Sequence, residues 1–159
     1  MNISSRERLA VHPLDLTRLP KPQRGEAIVS HVIADNEVVV VSRVRDPVWE
    51  LWMYQSAPNL SPSHLSLDFR DIPKQFVSAV QDIYYRWLKA GMNGRPPPVA
   101  RTLVTSFGRI KPFLRWLNER GVRRLSEVTS LHASAYAKRV GREIEASSLG
   151  LILLEINRL

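Results

Sequence analysis

Residues 99–121 read VARTLVTSFGRIKPFLRWLNERG, the segment with the most regular helical pattern of the chain. Apolar side chains recur in it at spacings of four, three, four and three, which places them on one face of an α-helix: Leu103, Phe107, Ile110, Leu114 and Leu117. Pro112 falls opposite that face, where a kink bends the helix around its neighbours. Gly121 is a suitable residue for ending it. The pattern predicts an amphipathic helix over residues 99–119.

Helical patterns also lie on both sides of this stretch. Upstream, an apolar stripe predicts a helix that starts near Pro73 and ends at Gly91: Phe76, Val80, Ile83 and Trp87. Four polar residues lie away from that stripe, which predicts that they avoid the core: Lys74, Gln81, Asp82 and Lys89. Downstream, two further helices are predicted, over residues 129–140 and 147–159.

The first part of the chain has strand character instead. Residues 1–25 look irregular, because three prolines interrupt them. Two β-branched runs follow, over residues 27–33 and 37–44, and Asp35-Asn36 between them suits a hairpin turn. A third short strand is predicted over residues 48–54, and a linker over 56–66. The predicted fold class is therefore mainly α: a helical domain over residues 66–159, preceded by a small β-rich N-terminal extension over residues 1–65.

The charge of the chain is concentrated in one segment. The 159 residues include 23 Lys and Arg against 15 Asp and Glu, a net charge of +8. Residues 101–142 hold ten of the basic residues and only Glu119 and Glu127 as acids, so the remainder is neutral. Such concentration favours a polyanionic partner, and nucleic acid above all. A solvated surface that keeps the protein soluble is the alternative interpretation.

Several classes of protein are excluded or disfavoured. The chain has no cysteine, which rules out disulfide scaffolds, thiolate zinc sites and cysteine nucleophiles. Its glycines form no phosphate-binding loop, and His31 is expected to be an exposed or half-buried strand residue, so no metal, cofactor or small-molecule substrate is assigned. No secretory signal and no apolar run long enough to span a bilayer is found. We therefore expect a cytoplasmic protein without a membrane partner.

Short motifs follow one another in a definite order along the helical part. They are Trp87-Leu88-Lys89-Ala90-Gly91, Thr102, Phe113-Leu114-Arg115-Trp116-Leu117, Glu119-Arg120-Gly121, Leu125-Ser126-Glu127-Val128-Thr129, Tyr136 and Ser147-Ser148-Leu149. In this order they resemble the N-terminal core-binding domain of the tyrosine recombinases, the phage-integrase family. The resemblance covers residues 72–159 and, more loosely, 37–71. It implies a four-helix, SAM-like bundle that grips one side of a recombination half-site in double-stranded DNA, alongside other recombinase protomers.

The chemistry of that family is not found in this chain. Its members use a tyrosine nucleophile, two arginines and a His-x-x-Arg box on a C-terminal catalytic domain. The residues three positions after the four histidines are Asp15, Ala34, Leu67 and Ala135, and none is arginine. We therefore expect no catalytic residue and no enzyme activity here; the full-length protein would be a tyrosine recombinase.

Candidate DNA contacts lie mainly opposite the core face of the helix over residues 99–119. Guanidinium groups bind phosphates or read guanine with two hydrogen bonds, and threonine hydroxyls near a helix N-terminus favour phosphate. The predicted DNA-binding residues are Arg101, Thr102, Thr105, Arg109, Lys111, Arg115, Lys138, Arg139, Arg142, Ser148 and Arg158. A solvated arginine face is the alternative. Trp116, also off the core stripe, is expected to pack against another helix.

The last predicted helix is apolar nearly all round. One face holds Leu149, Ile152, Leu153 and Ile156, while Leu151 and Leu154 point away from it. Such a helix needs a second surface, which the resemblance would supply as the catalytic domain or a neighbouring protomer. A fully buried central helix is the alternative.

Two other functions stay open, a stand-alone small DNA-binding regulator and a helical protein-interaction module. Salt-dependent DNA binding separates the recombinase and regulator interpretations from the interaction module. A reading frame that continues past Leu159 into a His-x-x-Arg segment separates the recombinase from the regulator.

Overall fold

The computed structural model describes residues 16–54, 65–92 and 94–140. In chain order they form helix α1 (Lys21–Glu26), strands β1 (Ile28–Ala34), β2 (Glu37–Arg43), β3 (Val48–Glu50) and β4 (Ser66–Asp68), and helices α2 (Lys74–Ala90), α3 (Ala100–Glu119) and α4 (Ser130–Val140). Single 3₁₀ turns lie at Leu16–Arg18, Trp52–Tyr54, Phe69–Asp71 and Leu125–Glu127. This part of the chain is mainly helical, as predicted. The helix predicted over residues 147–159 lies outside the described residues. So do three of the predicted DNA contacts, Arg142, Ser148 and Arg158.

The predicted hairpin is confirmed. Strands β1 and β2 pair antiparallel, with Ala34 opposite Glu37 at the tip. Asp35 and Asn36 form the turn at φ of 51° and 63°, the left-handed conformation that these two residue types tolerate. The strand register shifts near Ser30, and this irregularity breaks the simple alternation of buried and exposed residues.

The prediction that His31 is exposed or half-buried is wrong. The residue is buried, with 1% of its surface accessible. The side chain of Tyr54 covers it. The two rings meet edge to face with centroids 6.5 Å apart, and the His31 amide donates to the Tyr54 hydroxyl at 3.3 Å. The 3₁₀ turn that carries Tyr54 therefore closes over β1.

The elements on either side of residues 55–64 differ from the sequence prediction. The third strand ends at Glu50 instead of Tyr54, because the chain turns into a 3₁₀ helix at Trp52. The first residues of the predicted helical domain, Ser66–Asp68, form β4 instead, which pairs antiparallel with β3. Helix α1 lies within the stretch predicted to be irregular. Pro22 does not prevent this helix, because the N–H that proline lacks would have no helical partner in the first turn.

Helix α2 buries its predicted stripe and two polar residues besides. Lys89 is fully buried and Asp82 is 9% exposed, although both were expected away from the core. The physical reason is that α1 and the hairpin cover a second face of α2. The Lys89 ammonium donates to the Val29 carbonyl in β1 at 2.9 Å, and Asp82 forms an ion pair with Arg24 of α1.

An aromatic series joins the strands to the helices. Trp49 of β3 meets Phe69 with ring centroids 4.7 Å apart, and Phe69 meets Phe107 of α3 at 5.2 Å. Phe107 in turn meets Tyr84 of α2 at 5.6 Å. All four rings belong to one cluster of buried residues. The region over residues 1–65 and the helical region over residues 66–159 therefore share one hydrophobic core in the described part of the chain.

Candidate nucleic-acid interface

Helix α3 separates its apolar and basic residues as the sequence predicted. All five members of the apolar stripe are buried: Leu103, Phe107, Ile110, Leu114 and Leu117. On the opposite side five exposed residues form what we call the basic face of α3: Arg101, Thr102, Thr105, Gly108 and Arg109. Because the apolar stripe turns one side of α3 toward the core, the basic face on the other side is exposed.

The basic face of α3 presents the backbone of the helix at Gly108. A Cβ atom placed at Gly108 would meet nothing within 4 Å, and the backbone there has ordinary negative φ. Pro112, also exposed, has no N–H to donate to the carbonyl of Gly108 four residues earlier. Neither the packing nor the backbone conformation of the fold requires a glycine at this position.

Arg101 and Arg109 differ from the basic residues of the strand region. Near the hairpin and β4, basic side chains pair with acids: Arg43 and Arg45 with Glu26, and Arg70 with Asp68. The side-chain hydrogen bond from Arg70 holds the pKa of the Asp68 carboxyl below its usual value. Within the described ranges no carboxylate pairs with Arg101 or Arg109. Among the described residues no acid therefore neutralises their charge, and both side chains are exposed.

Lys111 and Arg115, two other predicted contacts, have partners inside the protein. The Lys111 ammonium lies 2.6 Å from the Asp71 carboxylate and 5.0 Å from the centroid of the Phe107 ring. Arg115 donates from Nη2 and Nε to the Asp71 carbonyl at 2.9 and 3.2 Å. Both side chains fasten α3 to the 3₁₀ turn Phe69–Asp71, so they contribute less to a freely presented cationic surface.

Helix α4 carries Lys138 and Arg139 in its last turn, both exposed. Arg139 lies 3.7 Å from Glu119 at the end of α3, and both groups are solvated, so this pair is weak. The helix is held to α3 by aromatic contacts of Tyr136 with Phe113 and Trp116, at centroid distances of 5.1 and 5.5 Å. Trp116 is 5% exposed, which confirms that it packs against another helix.

Three further arginines follow α3 and are exposed: Arg120, Arg123 and Arg124. They belong to the basic segment 101–142 but were not among the predicted DNA contacts, because no helical periodicity assigns a face to a turn. The Arg120 guanidinium lies 5.2 Å from the centroid of the Trp116 ring. Arg124 lines a groove of about 290 Å³ together with Arg24 and Asp82. These residues extend the basic surface beyond the end of α3.

Neither a cluster of metal-binding side chains nor a membrane-spanning helix is found in the described ranges. No three His, Cys, Asp or Glu side chains lie close enough together to hold a metal ion there. None of the helices described is both long and apolar enough to span a bilayer.

A scan against protein-family models and searches of curated proteins and of solved structures found no match to this chain.

Proposed function

We propose that this chain binds double-stranded DNA through the basic face of α3, as the N-terminal region of a site-specific tyrosine recombinase. The observation that carries the proposal is the pair of exposed arginines, Arg101 and Arg109, which have no carboxylate partner in the described part of the chain. Arginines near the hairpin and β4 are paired, whereas these two flank hydroxyl groups and a glycine. Phosphate oxygens satisfy such guanidinium groups, and so does a guanine edge.

The shape of this face suits a DNA groove. The major groove of B-form DNA, about 12 Å wide, admits a single α-helix. Gly108 leaves the backbone of α3 uncovered within this face, so the helix can approach the DNA closely there. Thr102 and Thr105 lie in the first part of the helix, near the positive end of its dipole, and their hydroxyls can donate to phosphate oxygens. Affinity would come mainly from phosphates, and base recognition from Arg101 and Arg109.

The recombinase assignment rests on the order of the helical motifs. In this proposal the helices form the SAM-like core-binding bundle, which holds one side of a half-site, and other protomers occupy the neighbouring sites. Cleavage and strand exchange belong to a separate catalytic domain. The protein would act in the cytoplasm.

The test compares arginines of equal charge and different position. Arg109→Ala and Arg101→Ala each remove a cation that has no carboxylate partner among the described residues, whereas Arg45→Ala removes an exposed cation that already pairs with Glu26. Binding to a fluorescent DNA duplex is measured by anisotropy at several salt concentrations. Each α3 variant should weaken binding and reduce the log–log salt slope by about one, while Arg45→Ala leaves the slope unchanged.

Equal loss of binding in all three variants would contradict the proposal. Net charge alone would then control affinity, and the basic face of α3 would have no special role. Circular dichroism of each variant confirms that the helices are retained.

A further inference from the structure

The backbone carbonyl of Gly108 lacks the hydrogen-bond donor that an α-helix normally supplies. In a regular helix this carbonyl accepts from the N–H four residues later, and that residue is Pro112, inside α3. A proline ring within a helix also crowds the carbonyl four residues earlier, and carbonyls on the solvent side of a helix tilt outward. Gly108 and Pro112 are both exposed. The basic face of α3 therefore contains a backbone acceptor, at an exposed position, without its helical donor.

The two cationic side chains that follow Gly108 on the same side of α3 are engaged elsewhere. Lys111 and Arg115 come three and seven residues later, so either could lie along this part of the helix surface. Instead the Lys111 ammonium donates to the Asp71 carboxylate at 2.6 Å, and Arg115 donates to the Asp71 carbonyl at 2.9 and 3.2 Å. Gly108 itself has no side chain, and a Cβ there would meet nothing within 4 Å. The approach to its carbonyl is open among the described residues.

Arg109 places donors directly beside this acceptor. Its side chain is exposed and has no carboxylate partner in the described ranges. In the major groove a G·C pair presents two adjacent acceptors, guanine N7 and O6, followed by one donor, the N4 amino group of cytosine. An A·T pair presents the adenine amino group between its two acceptors, so it does not suit a guanidinium group that donates twice. A guanidinium group next to a carbonyl is therefore complementary to a G·C edge.

We propose that α3 recognises one G·C base pair, with Arg109 donating to guanine and the Gly108 carbonyl accepting from the N4 amino group of the paired cytosine. The inference rests on the proposed DNA-binding function and adds one base pair and the backbone group that recognises it. A backbone carbonyl lies closer to the helix axis than the end of a side chain does, so it meets a base only where the helix surface is uncovered. Gly108 provides that opening, and Pro112 leaves the carbonyl without a competing donor.

Selection of the full-length chain from a random duplex library identifies the preferred site, and the pair that Arg109 recognises is the one whose preference Arg109→Ala loses. At that pair N4-methylcytosine still pairs with guanine but carries a methyl group in place of the amino hydrogen in the major groove. Anisotropy should show wild-type binding about threefold to tenfold weaker than to the unmodified duplex, the effect of one hydrogen bond. A methylated cytosine outside the selected site is the matched control and should leave Kd unchanged.

Pro112→Ala then identifies the group on the protein. The substitution restores an N–H that donates to the Gly108 carbonyl, and it should raise the melting temperature because proline disfavours a helix interior. Binding to the unmodified duplex should weaken about threefold to tenfold, and N4-methylation should have no further effect in this variant. The salt slope should stay that of the wild type, because no phosphate contact is lost.

Three results would overturn this inference and leave DNA binding standing. They are a selected site with no G·C pair that depends on Arg109, equal wild-type affinity for methylated and unmethylated duplexes, and an undiminished methylation effect in Pro112→Ala. The third would assign the effect to a clash of the methyl group with another part of the protein. A flat salt response, or no binding to any duplex, would instead refute the proposed function on which the inference rests.

Discussion

Replacing Phe107 by alanine tests whether the strands and helices unfold together. Phe107 is 2% exposed, and its ring meets Phe69 from the strand side and Tyr84 from α2, at 5.2 and 5.6 Å. Truncation removes both edge-to-face contacts and leaves a cavity where α2, α3 and the Phe69 turn meet. The substitution should therefore perturb the β elements and the helices at once.

The magnitude follows from that environment. Buried Phe→Ala substitutions cost about 3–5 kcal/mol, and the two ring contacts place Phe107 in the upper half of this range. For a chain of this length a loss of about 4–5 kcal/mol lowers the melting temperature by about 8–20 °C. Arg109→Ala, two residues away and exposed, should change the free energy of unfolding by less than about 0.5 kcal/mol.

Urea and thermal unfolding of the full chain, followed by far-ultraviolet circular dichroism and by tryptophan fluorescence, measure these effects. The wild type should unfold in one transition that both probes report together, and Phe107→Ala should move that transition as a whole. Two separate transitions, of which Phe107→Ala moves only one, would refute the shared core. A larger effect from Arg109→Ala than from Phe107→Ala would show that the faces of α3 are assigned the wrong way round.

Gly108→Ala should stabilise the protein by about 0.5–1 kcal/mol, because the new Cβ meets no neighbour within 4 Å and alanine favours the helix; a lower melting temperature would show that the fold needs this glycine. Asn36→Val should cost about 1–2 kcal/mol in urea unfolding, because a β-branched residue is strained at a φ of 63°, while Asn36→Gly should cost little; equal effects would contradict the turn geometry. Burial raises the pKa of the Tyr84 and Tyr85 phenols, so the folded state holds their protons more tightly than the unfolded state does. Stability should therefore be complete below pH of about 10 and fall at higher pH, and Tyr85→Phe should flatten the fall; a pH-independent free energy of unfolding would contradict the burial.

Local patterns were sufficient to predict the β1–β2 hairpin and helices α2, α3 and α4. The spacing of Leu103, Phe107 and Ile110 was sufficient for α3 and its buried face, since an amphipathic helix depends on periodicity alone. The Asp35-Asn36 turn was likewise visible, because few residue types tolerate its backbone conformation. The same periodicity defined the basic face of α3, the candidate site.

Long-range contacts could not be predicted in the same way. Lys89 and Asp82 are buried because α1 and the hairpin cover them, and no pattern within α2 indicates that cover. Strand β4 exists because it pairs with β3, about 18 residues earlier in the chain. As predicted DNA contacts, Lys111 and Arg115 are equivalent to Arg109 in the sequence. Only the fold brings Asp71 into contact with the first two. In each case the deciding partner is distant in sequence.

The most direct test of DNA binding is the salt dependence of affinity for a duplex. With four to six phosphate contacts, a plot of the logarithm of the binding constant against the logarithm of salt concentration should have a slope of about −4 to −5. The titration runs from low to physiological salt with the full chain and a fluorescent duplex, read by anisotropy. A slope in this range supports DNA binding through the basic surface, whereas a flat response, or no binding at low salt, would contradict it.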